Sequence, residues 1–583
     1  MNPTRFPPGA AFLICALSSA IVPATTGRAQ TAGEPVRAQH DMVASGEAAA
    51  SRAGADILKR GGNAVDAAVA VGLTLAVTLP EAGNLGGGGF MLIHRADGKT
   101  IIIDYRETAP ALASRDMYLD SRGDMVPKAS EIGYRAVGVP GTVAGLALAL
   151  EKYGTMKWRD VIEPARRLAA EGFPVSHRLE RSFREKDHLE RLERFPESRR
   201  VFLKDGAFYA EGEILKQPEL AATLARLQEE GPREFYEGRT AQFLADAMKS
   251  HGGLITREDL KNYKPVERQP LRGSYRGYEI VTMPPPSSGG VALLEILNML
   301  ESYDVGAMAV NSSRKDHLLI EAMRRAFADR ADLLGDTDFV KVPVERLISK
   351  SYAAALAKTI DPERATASTS IKPGILLGEE SHQTTHFSVV DGQGNAVSNT
   401  YTLNLGYGSG VTVPGAGFLL NDEMDDFTSK PGVANAFGLI QSQANAIAPH
   451  KRPLSAMTPT VVLKDGKLFL VIGSPGGPTI ISTVLQVLVN VIDHHMNVRQ
   501  AIEAPRLHHQ WLPDMVSYER YGLPADVRSA LEAKGHHFFE KPGFRGKGSG
   551  YWGDAEGIMI EPRTGIRLGA CDPRSADALV LGN

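Results

Sequence analysis

The chain has 583 residues, of which 43% are hydrophobic and 23% are charged, and this composition is typical of a folded globular protein. The formal net charge is −3 at pH 7 and the sequence pI is about 6.6. These values exclude the strong basic excess of a nucleic-acid-binding protein, so we predict no nucleic-acid partner. The length exceeds one typical domain, yet no linker rich in Pro and Ser divides the early part of the chain.

The N-terminus has the pattern of a secretory signal peptide. Arg5 precedes an apolar run at 10–22, and small residues at 27–29 predict cleavage after Ala29. The run is about half a membrane span, which favours removal over a retained membrane anchor. Removal also takes away Cys15, so the mature chain has a single thiol and no internal disulfide. We therefore expect residues 1–29 to direct export to the periplasm or the medium.

Helices and strands alternate early in the mature chain. Residues 47–60 and 63–79 are rich in Ala and Val and are predicted to be helices. The four glycines at 86–89 suggest a phosphate-binding loop, but the Lys-Ser/Thr pair and the following helix of that motif are absent. A close approach of the backbone between packed layers is the favoured alternative. A strand at 100–105 then leads to Arg106.

The middle of the chain is predicted to be largely helical. Charged residues dominate 179–200, which is most simply a solvated helical face. Ser287 and Ser288 are conceivable nucleophiles, but no elbow motif surrounds either one. The other predicted helices are 142–153, 217–229, 240–251 and 291–303.

A β-hairpin is predicted around the turn at 391–395, which contains two glycines. The flanking runs 385–390 and 396–403 are rich in Val, Thr, Tyr and Phe. If Val390 faces Ala396, the same register places Thr384 opposite Thr402 at the open end. A one-residue slip or a bulge would change the pairing but leave the two threonines adjacent. This pair of strands is called the central hairpin below.

The residues before the hairpin suggest a site of chain cleavage. Residues 364–383 are mostly Ser, Thr, Gly, Pro and charged, which predicts an exposed linker. Cleavage between Gln383 and Thr384 would give a threonine whose α-amine, with a reference pKa of about 7.7–8.0, can accept its own hydroxyl proton. The alternative is an ordinary surface linker, and spacing alone favours that alternative.

A second glycine-rich turn lies between a predicted strand at 467–473 and a predicted helix at 479–491. Such a turn presents backbone N–H groups to an anion. Three adjacent histidine pairs follow, but neighbouring side chains do not point the same way, so they make poor metal sites. We predict no metal and no cofactor. The histidine pairs are at 494–495, 508–509 and 536–537.

Several motifs in one order resemble the γ-glutamyltranspeptidase (glutathione hydrolase) family over residues 41–575. The resemblance implies the αββα sandwich of N-terminal-nucleophile hydrolases, with two stacked, mainly antiparallel sheets between helices. It also implies cleavage into a large subunit, 30–383, and a small catalytic subunit, 384–583, which remain one heterodimer. The motifs are 61–68, 83–90, 104–107, 283–290, 383–391, 401–404, 421–427, 453–455 and 473–477.

The resemblance also implies a self-activated nucleophile. Thr384 would attack an amide carbonyl, its own amine would accept the proton, and an acyl-enzyme would form. The N–H groups of Gly476 and Gly477 would hold the oxyanion, and Thr402 would orient the nucleophile. Water or an amino acid or dipeptide would then accept the acyl group.

The substrate implied by the family, glutathione or another γ-glutamyl compound, carries an α-amine and an α-carboxylate. The resemblance places Arg106 and Ser455 at the carboxylate, and arginine suits that group because its planar fork can bond both oxygens. It places Asn404, Glu423 and Asp426 around the amine. The alternative for Arg106 or Asp426 considered alone is a structural ion pair.

Three positions depart from the family pattern. Ala456 replaces a second serine, which removes a hydrogen bond worth about 1 kcal/mol. Pro478 and Thr479 replace the usual Ser-Arg, and Phe437 replaces a tyrosine in residues 429–448, which resemble a lid and are called the lid segment below. These changes concern the strength of γ-glutamyl binding and leave the catalytic groups intact.

Two alternative functions remain open at this point. One is an acylase that uses the same threonine to cleave glutaryl or other acyl amides; Asp426 argues against it and Ala456 argues for it. The other is an exported solute-binding protein that never cleaves itself. The sequence leaves open the physiological donor, the balance between hydrolysis and transfer, and the oligomeric state.

Overall fold

The structure is a computed structural model that describes residues 33–371, 384–541 and 552–583. The predicted signal peptide, Gln383 and the second half of the predicted linker lie outside these residues. The chain from Gly33 onward belongs to one compact unit. No helix within the described ranges is both long and apolar enough to cross a membrane.

Two seven-stranded sheets form the centre of the fold, and every pair of neighbouring strands in them is antiparallel. The first, called the hairpin sheet, has the order Leu579–Gly582, Met42–Ser45, Thr385–Val390, Ala396–Thr402, Gly88–His94, Thr100–Asp104, Val266–Arg268. The second sheet has the order Val36–Ala38, Arg567–Cys571, Glu556–Ile560, Lys467–Gly473, Thr460–Lys464, Tyr278–Thr282, Leu271–Tyr275.

Helices cover the outer face of each sheet. The helices packed on the hairpin sheet are Ala48–Lys59, Ala64–Thr78 and Thr142–Tyr153. Those packed on the second sheet are Gly289–Leu300, Thr479–Ile492 and Val498–Glu503, with Ser313–Leu333 and Lys350–Ala357 outside them. Apolar side chains from both sheets fill the space between them, including Phe90, Leu92, Val461 and Val471. The predicted αββα sandwich is confirmed.

Shorter elements surround this core. The remaining α-helices are Trp158–Val161, Glu163–Glu171, His177–Phe183, Lys186–Arg194, Pro196–Phe202, Pro218–Glu230, Arg233–Glu237, Arg239–Ser250, Arg257–Asn262, Val344–Leu347, Ser368–Ile371 and Ala525–Ala533. The remaining strands are Phe173–Pro174, Leu203–Lys204, Ala207–Phe208, Ile214–Leu215, Leu507–His508, Val516–Glu519 and Phe538–Lys541.

The central hairpin has the predicted register, with Val390 opposite Ala396. Because side chains alternate along a strand, its two faces differ. The outer face is apolar, and Phe387 and Tyr401 pack against the helices. The inner face is apolar near the turn, at Val390 and Ala396, and polar from Ser388 to the open end. Ser388 Oγ donates to the Glu556 carbonyl at 2.9 Å across the space between the sheets. Thr384 and Thr402 lie at positions of the alternation that share this inner face with Ser388.

The glycine-rich run before Phe90 lies between backbones, as predicted. A Cβ at Gly86 would be 2.1 Å from the Leu419 carbonyl oxygen, and one at Gly87 would be 2.1 Å from the Thr402 oxygen. No side chain fits at either distance. These glycines therefore allow the hairpin sheet to approach the loops that carry the site.

The solvated helical face predicted at 179–200 is confirmed for most of the segment, since most of its charged side chains are exposed, but Arg191 is an exception. The segment forms three short helices, and Arg191 is buried beneath the loops that follow the hairpin. Arg191 Nη1 donates to the Gly408 carbonyl at 2.6 Å and lies 3.3 Å from Asp422 Oδ2. Charge-rich sequence indicated exposure, but these buried partners compensate for the loss of water.

Candidate active site

One small pocket, of about 20 Å³, collects nearly all of the predicted site residues. This volume has room for about one water molecule. The predicted residues that line it are Arg106, Thr384, Thr402, Asn404, Glu423, Asp426, Ser455 and Gly477. Other lining residues are Arg330, Phe437, Leu439, Ala456, Met457, Pro478 and Ile480. Gly476 adjoins the pocket through its neighbour Gly477.

Thr384 is buried at the start of the first hairpin strand, and Thr402 ends the second. The Asn404 N–H donates to Thr402 Oγ1 at 2.8 Å, and Asn84 Nδ2 donates to the Thr402 carbonyl at 2.9 Å. Asn404 has a φ of 83°, a left-handed conformation that is strained for most side chains. The turn after the hairpin is therefore held in place directly beside Thr384.

The loop at 474–477 connects a strand of the second sheet to the helix Thr479–Ile492. Gly476 and Gly477 have φ values of 132° and 54°, and a Cβ at Gly476 would lie 2.5 Å from Thr479 Oγ1. Within the described part of the chain, neither glycine N–H donates a hydrogen bond. The loop therefore has two donors available at the N-terminal end of a helix, where a developing negative charge is favoured.

Arg106 follows the strand Thr100–Asp104 and is fully buried. Its Nη1 donates to Glu423, its Nη2 donates to Asp426, and Glu107 Oε2 lies 3.6 Å from Nη1. A short 3₁₀ helix, Glu423–Asp426, presents the first two carboxyl groups on one side of the pocket. Three acidic groups therefore surround the Arg106 guanidinium.

Burial is the main cause of the pKa shifts of these three acids. It raises the pKa of Glu423 well above its usual range and raises the pKa of Asp426, although contact with Arg106 opposes both shifts. Burial also raises the pKa of Glu107 to about 8, and neither of its carboxyl oxygens has a hydrogen-bond partner in the described residues. Placement of a substrate ammonium group beside Asp426 and Glu423 would favour their charged forms.

The segment at Ser455 forms the opposite wall. The Ser455 N–H donates to the Pro286 carbonyl at 2.8 Å, and Ser455 Oγ accepts from the Met457 N–H at 3.1 Å. Among the described residues, the Ser455 hydroxyl donates no hydrogen bond. Ser288 donates both its N–H and its hydroxyl to the Ser455 carbonyl, at 2.8 and 2.6 Å. These two hydrogen bonds hold the Ser455 backbone in place, so Ser288 has a structural role here and is not the nucleophile.

The residues that depart from the family pattern also lie at the pocket. Ala456 and Pro478 line it directly, and Phe437 of the lid segment packs with Leu405 and Leu439. Thr479 Oγ1 donates to the Gly476 carbonyl at 2.7 Å. The Thr479 hydroxyl is thus bonded to the backbone and does not replace the donor absent at Ala456.

Arg330 is the charged pocket residue that the sequence analysis missed. It lies near the end of the helix Ser313–Leu333, which carries four other basic residues, so its charge gave no distinguishing signal. No group of three or more His, Cys, Asp or Glu side chains suited to a metal occurs in the described ranges. The absence of a metal and of a cofactor stays a prediction.

Comparison with known proteins identifies the family. The gamma-glutamyltranspeptidase family model matches residues 50–581. The glutathione hydrolase proenzyme of Escherichia coli (strain K12) is 50% identical over 560 residues, which cover 96% of this chain and 95% of that protein. The gamma-glutamyltranspeptidase of Helicobacter pylori is 47% identical over 56% of this chain and 93% of that chain, with a TM-score of 0.55.

A cephalosporin acylase from Bacillus halodurans is also similar in structure. It covers 97% of this chain and 99% of its own, with a TM-score of 0.82, but it is only 28% identical. The acylase hypothesis is therefore weaker than the transpeptidase hypothesis, and the hypothesis of a non-enzymatic binding protein is not supported. The chain belongs to the gamma-glutamyltranspeptidase family, whose N-terminal-nucleophile hydrolase architecture it shares.

Proposed function

We propose that the chain is a self-cleaving enzyme that hydrolyses the γ-glutamyl amide bond of glutathione and related compounds. It transfers the γ-glutamyl group through a threonine ester to water, amino acids or dipeptides. The observation that carries this proposal is the position of Thr384, which is buried at a strand start, beside Thr402 and near a loop with two glycine N–H groups that donate no hydrogen bond within the described residues. The family membership supports the same chemistry.

The mechanism follows from these positions. Cleavage before Thr384 frees its α-amine, which takes the hydroxyl proton as Oγ attacks the γ-carbonyl. Gly476 and Gly477 stabilise the oxyanion, with roughly 3–4 kcal/mol for each donor. The amine then returns the proton to the leaving nitrogen, and water or an amino group attacks the ester.

Recognition of the γ-glutamyl group uses the opposed charges of the pocket. Asp426, Glu423 and Asn404 receive the α-ammonium, while Arg106 and Ser455 contact the α-carboxylate. The pocket volume of about 20 Å³ is smaller than this group, so side chains around the pocket have to move on binding, and separation of Arg106 from part of its carboxylate cluster would make room. The substrate supplies replacement charges of both signs, which offsets the cost of that separation.

Processing gives a large subunit ending at Gln383 and a small subunit of 200 residues (583 − 383) beginning at Thr384. The hairpin sheet contains strands of both predicted subunits, and the strand Met42–Ser45 of the large one lies between two strands of the small one, so the two products remain one heterodimer. The signal sequence at 1–29 directs export.

The test is a denaturing gel with N-terminal sequencing of the smaller band. Wild type should give two bands, the smaller beginning Thr-Thr-His-Phe, and should release anilide from a γ-glutamyl substrate. Thr384→Ala should remain one band without activity, whereas the matched variant Thr384→Ser should retain slow cleavage and some turnover. Full activity in an uncut wild-type chain would refute the proposal.

A further inference from the structure

The pocket contains a second guanidinium, on Arg330, for which the chemistry above has no use. Arg330 is almost completely buried and lines the pocket. Its Nε donates to Ser288 Oγ at 2.9 Å. Its Nη1 has no hydrogen-bond partner, and the side chain forms no ion pair, within the described part of the chain.

A buried cation in this situation is costly to the folded protein. Leaving a buried polar group unpaired costs about 1–3 kcal/mol, and more if the group is charged. Burial lowers the pKa of Arg330 to about 10, and the field of Asp426 opposes that shift. The guanidinium therefore remains charged at neutral pH and lacks a counter-ion in contact with it.

Arg106 differs from Arg330 in this respect. Glu423 and Asp426 accept hydrogen bonds from Arg106, and Glu107 lies 3.6 Å away. The charge of Arg106 is thus balanced before any substrate arrives. A substrate carboxylate would meet an already neutralised group at Arg106, but an uncompensated cation at Arg330.

Arg330 is also joined to the wall where the carboxylate is expected. The Ser288 hydroxyl that accepts from Arg330 donates to the Ser455 carbonyl at 2.6 Å. Ser455 precedes Ala456, the position that lacks a second hydroxyl. One hydrogen-bonded chain therefore fixes the Arg330 side chain against the segment with the missing donor.

We propose that Arg330 is a specificity-determining residue whose guanidinium receives the α-carboxylate of the substrate and replaces the donor absent at Ala456. The assignment rests on the proposed γ-glutamyl function and deepens it. Arg106 then orients the acidic groups that bind the α-ammonium, and both arginines approach the carboxylate from different sides. Ser288 is a positioning residue, because it acts through Arg330 and Ser455.

The test compares three anilides in wild type and Arg330→Gln. The γ-glutamyl anilide has both charged groups, the glutaryl anilide has only the carboxylate, and the 4-aminobutyryl anilide has only the ammonium. KM for the first two should rise about 10- to 100-fold, while KM for the third should change less than about twofold. Where turnover is slow, the corresponding acyl amides are compared as competitive inhibitors.

Two further variants separate recognition from folding. Arg330→Lys keeps a cation without the planar fork and should show a smaller KM increase, confined to the two carboxylate substrates. Ser288→Ala should shift KM in the same direction. Equal losses on all three anilides, or unchanged KM for the two carboxylate substrates, would overturn the assignment. Failure of the γ-glutamyl function itself is distinguishable, since wild type would then not cleave the γ-glutamyl anilide, whatever it does with the other two.

Discussion

Two buried arginines, Arg178 and Arg330, show how differently this fold uses the same side chain. Arg178 Nε donates to Glu81 at 2.8 Å, and its Nη1 donates to Asp554 at 2.7 Å and to Ser575 at 2.6 Å. Within the part of the chain that the structure describes, the Arg330 side chain has one hydrogen bond, to Ser288, and it lines a pocket. Both guanidinium groups are removed from water, but only one has acidic partners in contact with it within the described residues.

The difference separates an arginine that is held in a structural ion pair from one that has no ion pair within the described residues. Arg178 connects residues that are far apart in the sequence, and removal of one member of a buried pair leaves the others uncompensated. Arg330 has no ion pair of this kind within the described residues, and its unpaired Nη1 at a pocket is the basis of the binding role proposed above. Buried charge alone is therefore a poor marker of an active site; buried charge without a counter-ion is a better one.

The largest expected effect tests the difference between Arg178 and Arg330 directly. Arg178→Met should lower the free energy of unfolding by about 3–5 kcal/mol, because Glu81 and Asp554 lose a buried partner. The matched variant Arg330→Met should be as stable as wild type or more stable. Urea denaturation of both variants measures the difference. Equal destabilisation would show that Arg330 is structural too.

The second prediction concerns the acidic side of the pocket. Asp426→Asn should reduce kcat/KM for the γ-glutamyl anilide by a factor equivalent to about 2–5 kcal/mol, because the substrate ammonium loses its counter-charge. The glutaryl anilide lacks that ammonium and should be much less affected. If both substrates lose the same factor, Asp426 serves only to hold Arg106.

The third prediction tests an acid at the edge of the site. Asp425 accepts hydrogen bonds from Ser130 Oγ at 2.7 Å and from the Ala436 N–H of the lid segment at 2.9 Å. Burial raises the pKa of Asp425 to about 7, helped by Glu131, and the two hydrogen bonds only partly oppose this shift. The folded state therefore holds a proton on Asp425 that the unfolded chain releases near pH 4.

Since the folded-state pKa is the higher one, the stability from this group is present at low pH and is lost as the pH rises towards 7. Relative to Asp425→Asn, wild type should lose up to about 2 kcal/mol of unfolding free energy between about pH 5.5 and pH 7. Denaturation curves across this range measure the effect. Parallel profiles for the two proteins would contradict it.

The smallest expected effect sharpens the comparison at the carboxylate wall. Ala456→Ser should lower KM for the γ-glutamyl anilide by up to about tenfold, equivalent to about 1.4 kcal/mol. A bridging water would reduce that gain. The 4-aminobutyryl anilide, which lacks the carboxylate, is the control and should not respond. The gain should be larger in an Arg330→Gln background, where no other donor replaces the missing hydroxyl.

If both anilides respond alike, or neither does, position 456 does not contact the α-carboxylate. The proposed role of Ser455 beside it would then fail as well. The proposed role of Arg330 would still be tested by the three anilides in Arg330→Gln, because that experiment does not depend on a hydroxyl at position 456.

The amino-acid sequence by itself determined the local elements and the order of the motifs. The central hairpin followed from its turn and its β-forming residues, and its register placed Thr384 near Thr402, because pairing along a strand is a local, periodic property. The glycines at 86–89 indicated a close backbone approach, because residues without a side chain leave room for a neighbouring backbone. The family resemblance, carried by several motifs, then supplied the fold class and nine of the ten proposed catalytic and binding residues. The tenth, Arg330, came from the structure.

Only the tertiary structure decided which charged groups meet. Arg178, Arg191 and Arg330 occur in charge-rich stretches that are indistinguishable in sequence from solvated helices, and their burial depends on loops distant in the chain. The polar inner face of the hairpin also became clear only when the second sheet was placed against it. Long-range packing determines desolvation and pairing of charge, and no local periodicity encodes either.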